Sequence, residues 1–199
     1  MRVLVVGTNG DVGRAAVTEL AKRHEVVSAG RSSGDVRVDL LDTSSITAMF
    51  NKVGKIDAVV ACAGHAYFGP LATMTHDQFM VGLNDKLMGQ VNLVLLGTPH
   101  VNDRGSFTLT SGVVDRDPIV RGVNAATVNA ALQGFVTGAA IELGRGIRIN
   151  VVSPGLLEAS AKKFEGYFPG HETVSSARVG LAYAKSVEGA LTGQVIIIS

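Results

Sequence analysis

The sequence predicts an α/β protein, a single domain over residues 1–199 in which a doubly wound parallel sheet carries helices on both faces. Three observations predict it. Short apolar runs rich in Val and Ile, each bounded by Gly, Asp or Ser, alternate with longer segments of helical period. Those runs show no polar alternation, as expected of strands buried on both faces of a parallel sheet. Hydrophobic residues make up 46% of the chain and charged ones 18%, which suffices for a sizeable core and is too little charge for a disordered chain. Right-handed crossovers between such strands make the sheet doubly wound.

A strand over Arg2–Val6 leads through a Gly-rich turn into a helix from about Asp11 to Arg23, with Val12, Ala16 and Leu20 as its core stripe. Strand two is Glu25–Ala29, and Val36–Val38 follows a turn. A helix starts near Thr43, where Asp42 or Thr43 caps it and Ile46, Met49, Phe50 and Val53 face inward. Ile56–Cys62 is the next strand. From Thr75 to about Leu96, the residues Phe79, Leu83, Leu87, Val91 and Leu95 step every four positions, which a helix keeps on one drifting face. After a strand at Ser106–Leu109, a second long helix spans Gly122 to Leu143 and is rich in Ala and Gly, so another backbone can approach it closely. A strand at Arg148–Val152, a helical segment within Thr173–Val187 and a last strand at Gln194–Ile198 complete the chain.

Composition excludes several classes of function. Eighteen Lys+Arg against 17 Asp+Glu, with no basic run, give nucleic acid or a membrane surface no electrostatic footing. The single cysteine, Cys62, has no disulfide partner in the chain, and no Cys/His group has metal-ligand spacing. The apolar opening stops at Gly7, short of a signal or membrane-spanning segment. A cytoplasmic protein with no metal, no nucleic-acid partner and no membrane partner is the expectation.

In open α/β sheets, ligands sit beyond the carboxyl ends of the strands. The turn Gly7-Thr8-Asn9-Gly10-Asp11-Val12-Gly13 follows the first strand and opens the first helix. Glycines there let the backbone turn sharply and approach a pyrophosphate, and the helix N-terminus offers unpaired N–H groups. This is the dinucleotide-binding arrangement of a Rossmann fold. At the end of strand two, where Asp or Glu would meet the ribose hydroxyls of NAD, the chain reads Gly30-Arg31-Ser32-Ser33. A guanidinium beside hydroxyls suits a 2′-phosphate, so NADP is the expected cofactor, with NAD second. Arg14 lies beside the same turn.

With these residues in view, nearly the whole chain resembles the short-chain dehydrogenase/reductase family. Asp39-Leu40 resembles the family's acidic-apolar pair beside the adenine, and Cys62-Ala63-Gly64 its N-A-G turn. Ser111 falls where the family has its catalytic serine. Arg148 to Gly155, ending in Pro154-Gly155, looks like the segment near the nicotinamide, and Leu191 to Gln194 like the one before the last strand. The resemblance implies an NADP-dependent oxidoreductase acting on a small carbonyl or alcohol substrate. It also implies a homodimer or homotetramer built through the helices around 75–96 and 122–143.

The likeness breaks at the chemistry. In the family a tyrosine acts as general acid/base, and a lysine four residues later lowers its pKa. The matching helix puts Ala125 at the tyrosine and Asn129 at the lysine, and Lys86 where an asparagine is usual. The resulting set is Lys86, Ser111, Ala125 and Asn129. Lys86 shares a helix face with Gly82, Gly89 and Leu93, and reads either as a solvated or interface lysine or as a relocated cation in the reaction site. His65 and Tyr67, Tyr167 and Tyr183 are other proton donors near the expected substrate side; Asp115, Arg116 and Asp117 read as a solvated cluster. Few residues lie between Gly155 and Thr192, which predicts a reduced substrate side. Two functions remain open: an oxidoreductase with a non-standard site, or a dinucleotide-binding or sensing protein without turnover.

Overall fold

The computed structural model describes residues 1–199. Seven parallel strands form one sheet in the order β3-β2-β1-β4-β5-β6-β9. They are β1 (Arg2–Val6), β2 (Glu25–Gly30), β3 (Val36–Arg37), β4 (Ile56–Ala61), β5 (Val101–Thr110), β6 (Arg148–Pro154) and β9 (Val195–Ile198). β7 (Leu156–Leu157) and β8 (Thr173–Val174) pair separately above the sheet's carboxyl edge. β1 is flanked by β2 in the register Val3↔Val26 and by β4 in the register Val3↔Ala58, so the chain reverses its direction of travel across the sheet between β1 and β4. That switch point opens a crevice at the strand ends.

Successive β1 residues go to opposite cores. Leu4 and Val6 join Ile46, Phe50, Leu93 and Leu132 beneath α2 (Thr43–Val53), α4 (Gly89–Gly97) and α5 (Val123–Glu142). Val3 and Val5 join Leu20, Val179 and Tyr183 beneath α1 (Asp11–Leu20) and α6 (Ser176–Glu188). Both faces are thus dry, and each fully buried Leu, Ile or Phe stabilises the fold by about 1.5–3 kcal/mol. This is the physical reason the strands read as unbroken apolar runs.

The segment expected as one helix over 75–96 is α3 (His76–Gly82), a π-helical turn over Leu83–Met88, and α4. Thr75 begins it with a reciprocal capping box to Gln78. The every-four stripe fails at its far end: Leu95 is 60% exposed, while Gln90, Leu93 and Val94 are buried. A four-residue step overshoots a 3.6-residue turn by about 40°, and four such steps carry the last side chain to the opposite face. On α1, Ala16 and Leu20 are buried as expected, while Val12 is only half-buried and Ala15 joins the core in its place. β5 begins five residues before the expected Ser106. On α5, Val128, Leu132 and Val136 are buried, whereas Ala130, Gly134 and Gly138 face outward and Ile141 is 88% exposed. No helix is long and apolar enough to cross a membrane.

Candidate functional site

Two adjoining clefts occupy the carboxyl edge at the switch point. The first, about 370 Å³, is lined by the loop after β1 (Gly7, Thr8, Asn9, Gly10), by Arg31 and Ser32 after β2, and by Asp39 and Leu40. Gly7 has φ +90°, and a Cβ on Gly13 would lie 2.1 Å from the Gly7 carbonyl oxygen, so loop and helix meet backbone to backbone. α1 starts after Gly10 with no side-chain cap, as α5 does after Gly122, whereas Asp42, Thr75 and Ser175 cap α2, α3 and α6. The first-turn N–H groups and the positive end of the helix dipole are therefore left for a ligand. Asp11 is turned aside: one carboxylate oxygen meets Arg14 and the other accepts from the Ser160 hydroxyl at 2.6 Å. Arg14 also donates to the Asn9 carbonyl, so its guanidinium braces the loop and does not line the cleft. Arg31 is exposed and makes no ion pair, and the Asn9 amide donates to Ser33, tying its loop to the first. Asp39 accepts from the Leu41 amide at 3.0 Å.

The second cleft, about 430 Å³, shares Cys62, Ala63, Gly64 and His65 with the first. It holds Lys86, Ser111, Ala125, Asn129, Pro154 and Gly155 together, with Val12 at its border. The π turn delivers Lys86: Gly64 at φ +131° leaves room where a Cβ would lie 2.7 Å from the Lys86 Cα. A π turn of this kind recurs at functional sites. The Lys86 ammonium donates to the Ser111 carbonyl at 3.0 Å, and burial pulls its pKa down to about 8 against the opposing field of Asp115. Lys86 is thus a cation of the site and not a solvated lysine. Ser111 is 3% exposed and its hydroxyl has no partner; the Asn129 side-chain carbonyl is also buried and unpartnered while its amide donates to the Gly112 carbonyl at 3.2 Å. Two buried, unpaired polar atoms on residues that line one cavity are costly unless a ligand or a small rotation gives them a partner.

Several expected donors lie elsewhere. Tyr183 is fully buried beneath the sheet, its hydroxyl bonded to the Thr110 hydroxyl at 2.6 Å, and burial pushes the phenol well above its usual range. It belongs to the lower core because α6 presents it to β4 and β5. Neither Tyr67 nor Tyr167 lines the cleft; Tyr167 packs edge-on against Phe68 at 6.1 Å. Asp115 is not solvated: its side chain is 3% exposed, it meets Gln133 and Arg116, and burial raises its pKa. His65 does reach both clefts. The Cys62 thiol is pushed up to about 12 by burial, which leaves it a poor nucleophile.

Sequence reasoning missed Gln90, which closes the end of β5 with bonds to the Thr110 amide and carbonyl at 2.8 and 2.9 Å, fixing the adjacent Ser111. It also missed a cap. Residues 156–174 carry Ser160, Lys163, Phe164 and Phe168 over the second cleft, so the substrate side is covered where a reduced one was expected. The available signal was aromatic clustering: Phe164, Tyr167 and Phe168 are three of the chain's ten Phe and Tyr residues and lie within five positions, in a chain without Trp.

A seven-stranded parallel sheet of this order, with a glycine loop at its switch point, defines a Rossmann-type nucleotide-binding fold. The sequence profile described as Enoyl-(Acyl carrier protein) reductase matches residues 1–187, and the chain belongs to the short-chain dehydrogenase/reductase family. Its structure is similar to that of lin1944 from Listeria innocua (48% identity, TM-score 0.99, 100% of both chains). It is also similar to a small-chain dehydrogenase in complex with NADPH (25% identity, TM-score 0.87, 100% of this chain and 96% of that one). The 3-oxoacyl-[acyl-carrier-protein] reductase FabG of Aquifex aeolicus is 30% identical over 172 residues, 78% of this chain and 64% of the relative. The chain spans 60% of the length of another curated relative and 64% of that one.

Proposed function

We propose that the protein is an NADP(H)-dependent oxidoreductase that interconverts a carbonyl and an alcohol, with Lys86 as the proton source. One observation carries this reading: a desolvated ammonium stands beside the unpartnered Ser111 hydroxyl, in a cleft continuous with a phosphate-binding loop. The residues present fit the cofactor. The uncapped start of α1 and the glycine loop would hold its diphosphate, Arg31 and Ser32 its 2′-phosphate, and Asp39 and Leu40 its adenine side. Asn129, with its unpartnered carbonyl, would meet the nicotinamide ribose beside Pro154 and Gly155.

When bound, the dihydronicotinamide supplies the hydride that adds to the carbonyl carbon. Ser111 donates its hydroxyl hydrogen bond to the carbonyl oxygen as negative charge develops there. Lys86, mostly protonated at pH 7 with a pKa of about 8, gives that oxygen its proton and is left as a neutral amine, which takes a proton back from water. The burial of Lys86 and Ser111 strengthens both interactions. Reduction therefore weakens as pH rises through 8, and alcohol oxidation strengthens. The outward faces of α4 and α5, with Leu95 and Ile141 exposed, support a homo-oligomer formed through these helices.

The absence of any tyrosine from the cleft, with Ala125 on α5, favours a second reading: dinucleotide binding without turnover. NADPH consumption across a broad carbonyl panel separates the two. Substrate-dependent oxidation of NADPH supports the enzyme; tight NADPH binding with no turnover of any carbonyl supports the sensor.

A further inference from the structure

We infer that the substrate of this cleft carries a carboxylate on an apolar body, and that Lys163 is the residue that reads it; the inference rests on the oxidoreductase reading above. The second cleft is lined by two lysines, Lys86 and Lys163, and by no Asp or Glu. Lys86 is engaged at the Ser111 carbonyl. Lys163 is exposed, forms no ion pair, and holds its ammonium 5.4 Å from the centre of the Phe164 ring. Phe164 packs against Phe68 at 6.1 Å and against Phe168 at 6.0 Å, so residues from both sides of the mouth make one aromatic wall.

A cation at the edge of an apolar wall attracts an anion more strongly than one in open water. The wall gives area to a hydrophobic substrate body, while no carboxylate is present to hold a cationic one. The cap is held by the Ser160 hydroxyl donating to Asp11 at 2.6 Å and by the pairing of β7 with β8 at its base, so the lysine is presented on an anchored segment. The other anion within reach is the cofactor diphosphate, because the Lys163 amide bonds to the carbonyl of Ser160, which touches α1. Lys163 lines the second cleft and not the first, and its neighbours there are phenylalanines, which favours the substrate.

The test compares benzoylformate with its methyl ester as NADPH-dependent substrates of the wild-type protein and of Lys163→Met, which keeps the side-chain stem. The acid is expected to bind about two- to fivefold more tightly than the ester, a preference read in KM. Lys163→Met should erase that preference through KM, Lys163→Arg should restore it, and the NADPH Kd should not move. An acid-to-ester ratio of KM that is the same in the wild type and in Lys163→Met overturns the inference, as does a Lys163→Met effect that falls on NADPH affinity, which would assign the lysine to the diphosphate. If no carbonyl in the broad panel is reduced, the oxidoreductase reading fails separately. Calorimetric titration of the NADPH-loaded protein then decides: benzoylformate binding that exceeds ester binding and is lost in Lys163→Met supports the inference, and equal or absent binding overturns it.

Discussion

The glycine-loop end and the Ser111 end of the crevice are built by different means. At the first, the surface is backbone: Gly7 and Gly13 let loop and helix meet main chain to main chain at the uncapped start of α1, and the local sequence does this within seven residues. At the second, the surface is side chain, delivered from positions 86, 111, 129 and 163 on a π turn, a strand end, a helix and a cap. Such a site tolerates almost no change at Gly7 or Gly13, where a Cβ would lie 2.8 Å and 2.1 Å from neighbouring atoms. A side-chain site keeps its shape while its chemistry changes, so alanine and asparagine can stand on α5 in an undisturbed fold.

Breaking the first end should cost most. Gly13→Ala places a Cβ against the Gly7 carbonyl and should weaken NADPH binding by more than about 100-fold, measured by calorimetry, because loop and helix must separate. Breaking the second end should spare binding and remove chemistry: Lys86→Met is expected to lower kcat by about 10²–10³ with NADPH affinity nearly unchanged. In the wild type, the rate of reduction should fall about tenfold per pH unit above about 8, and that dependence should vanish in Lys86→Met. Arg31→Ala sharpens the cofactor half, with NADPH affinity down about 10- to 30-fold and NADH affinity unmoved. The smallest effect belongs to Tyr183→Phe, which should leave turnover intact and lower stability by about 1 kcal/mol in chemical denaturation, since the hydroxyl's bonds to Thr110 and to the Cys62 thiol are lost while the ring stays in place.

The fold was largely legible because its signals are local. Val-rich strands, helix caps at Asp42 and Thr75, and the Gly7 turn each act within a few residues of themselves. The candidate site was legible on the cofactor side for the same reason, and Ser111 because it ends a strand at the crevice. Lys86 stood undecided, since its helix face also bears Gly82 and Gly89 and nothing local distinguishes an outward lysine from a buried one. Tyr183 illustrates the converse: it lies in a stretch of chain near the expected substrate side, yet α6 turns its ring under the sheet. Gln90 acts on Thr110, 20 residues away, and Lys163 lies over a cleft built from distant elements, so neither carries a local sequence mark.

The sequence by itself determined the parallel sheet, the phosphate-type turn and the identity of the groups available for chemistry, because short-range sterics and apolar patterning dictate these. The tertiary structure alone decided which groups meet. It withdrew the Lys86 ammonium from water beside Ser111, removed Tyr183 from the cleft, sank Asp115 behind the site and set Lys163 over an aromatic wall. Burial and field at each position come from elements distant in the chain, and those two quantities fix whether an ionisable group acts.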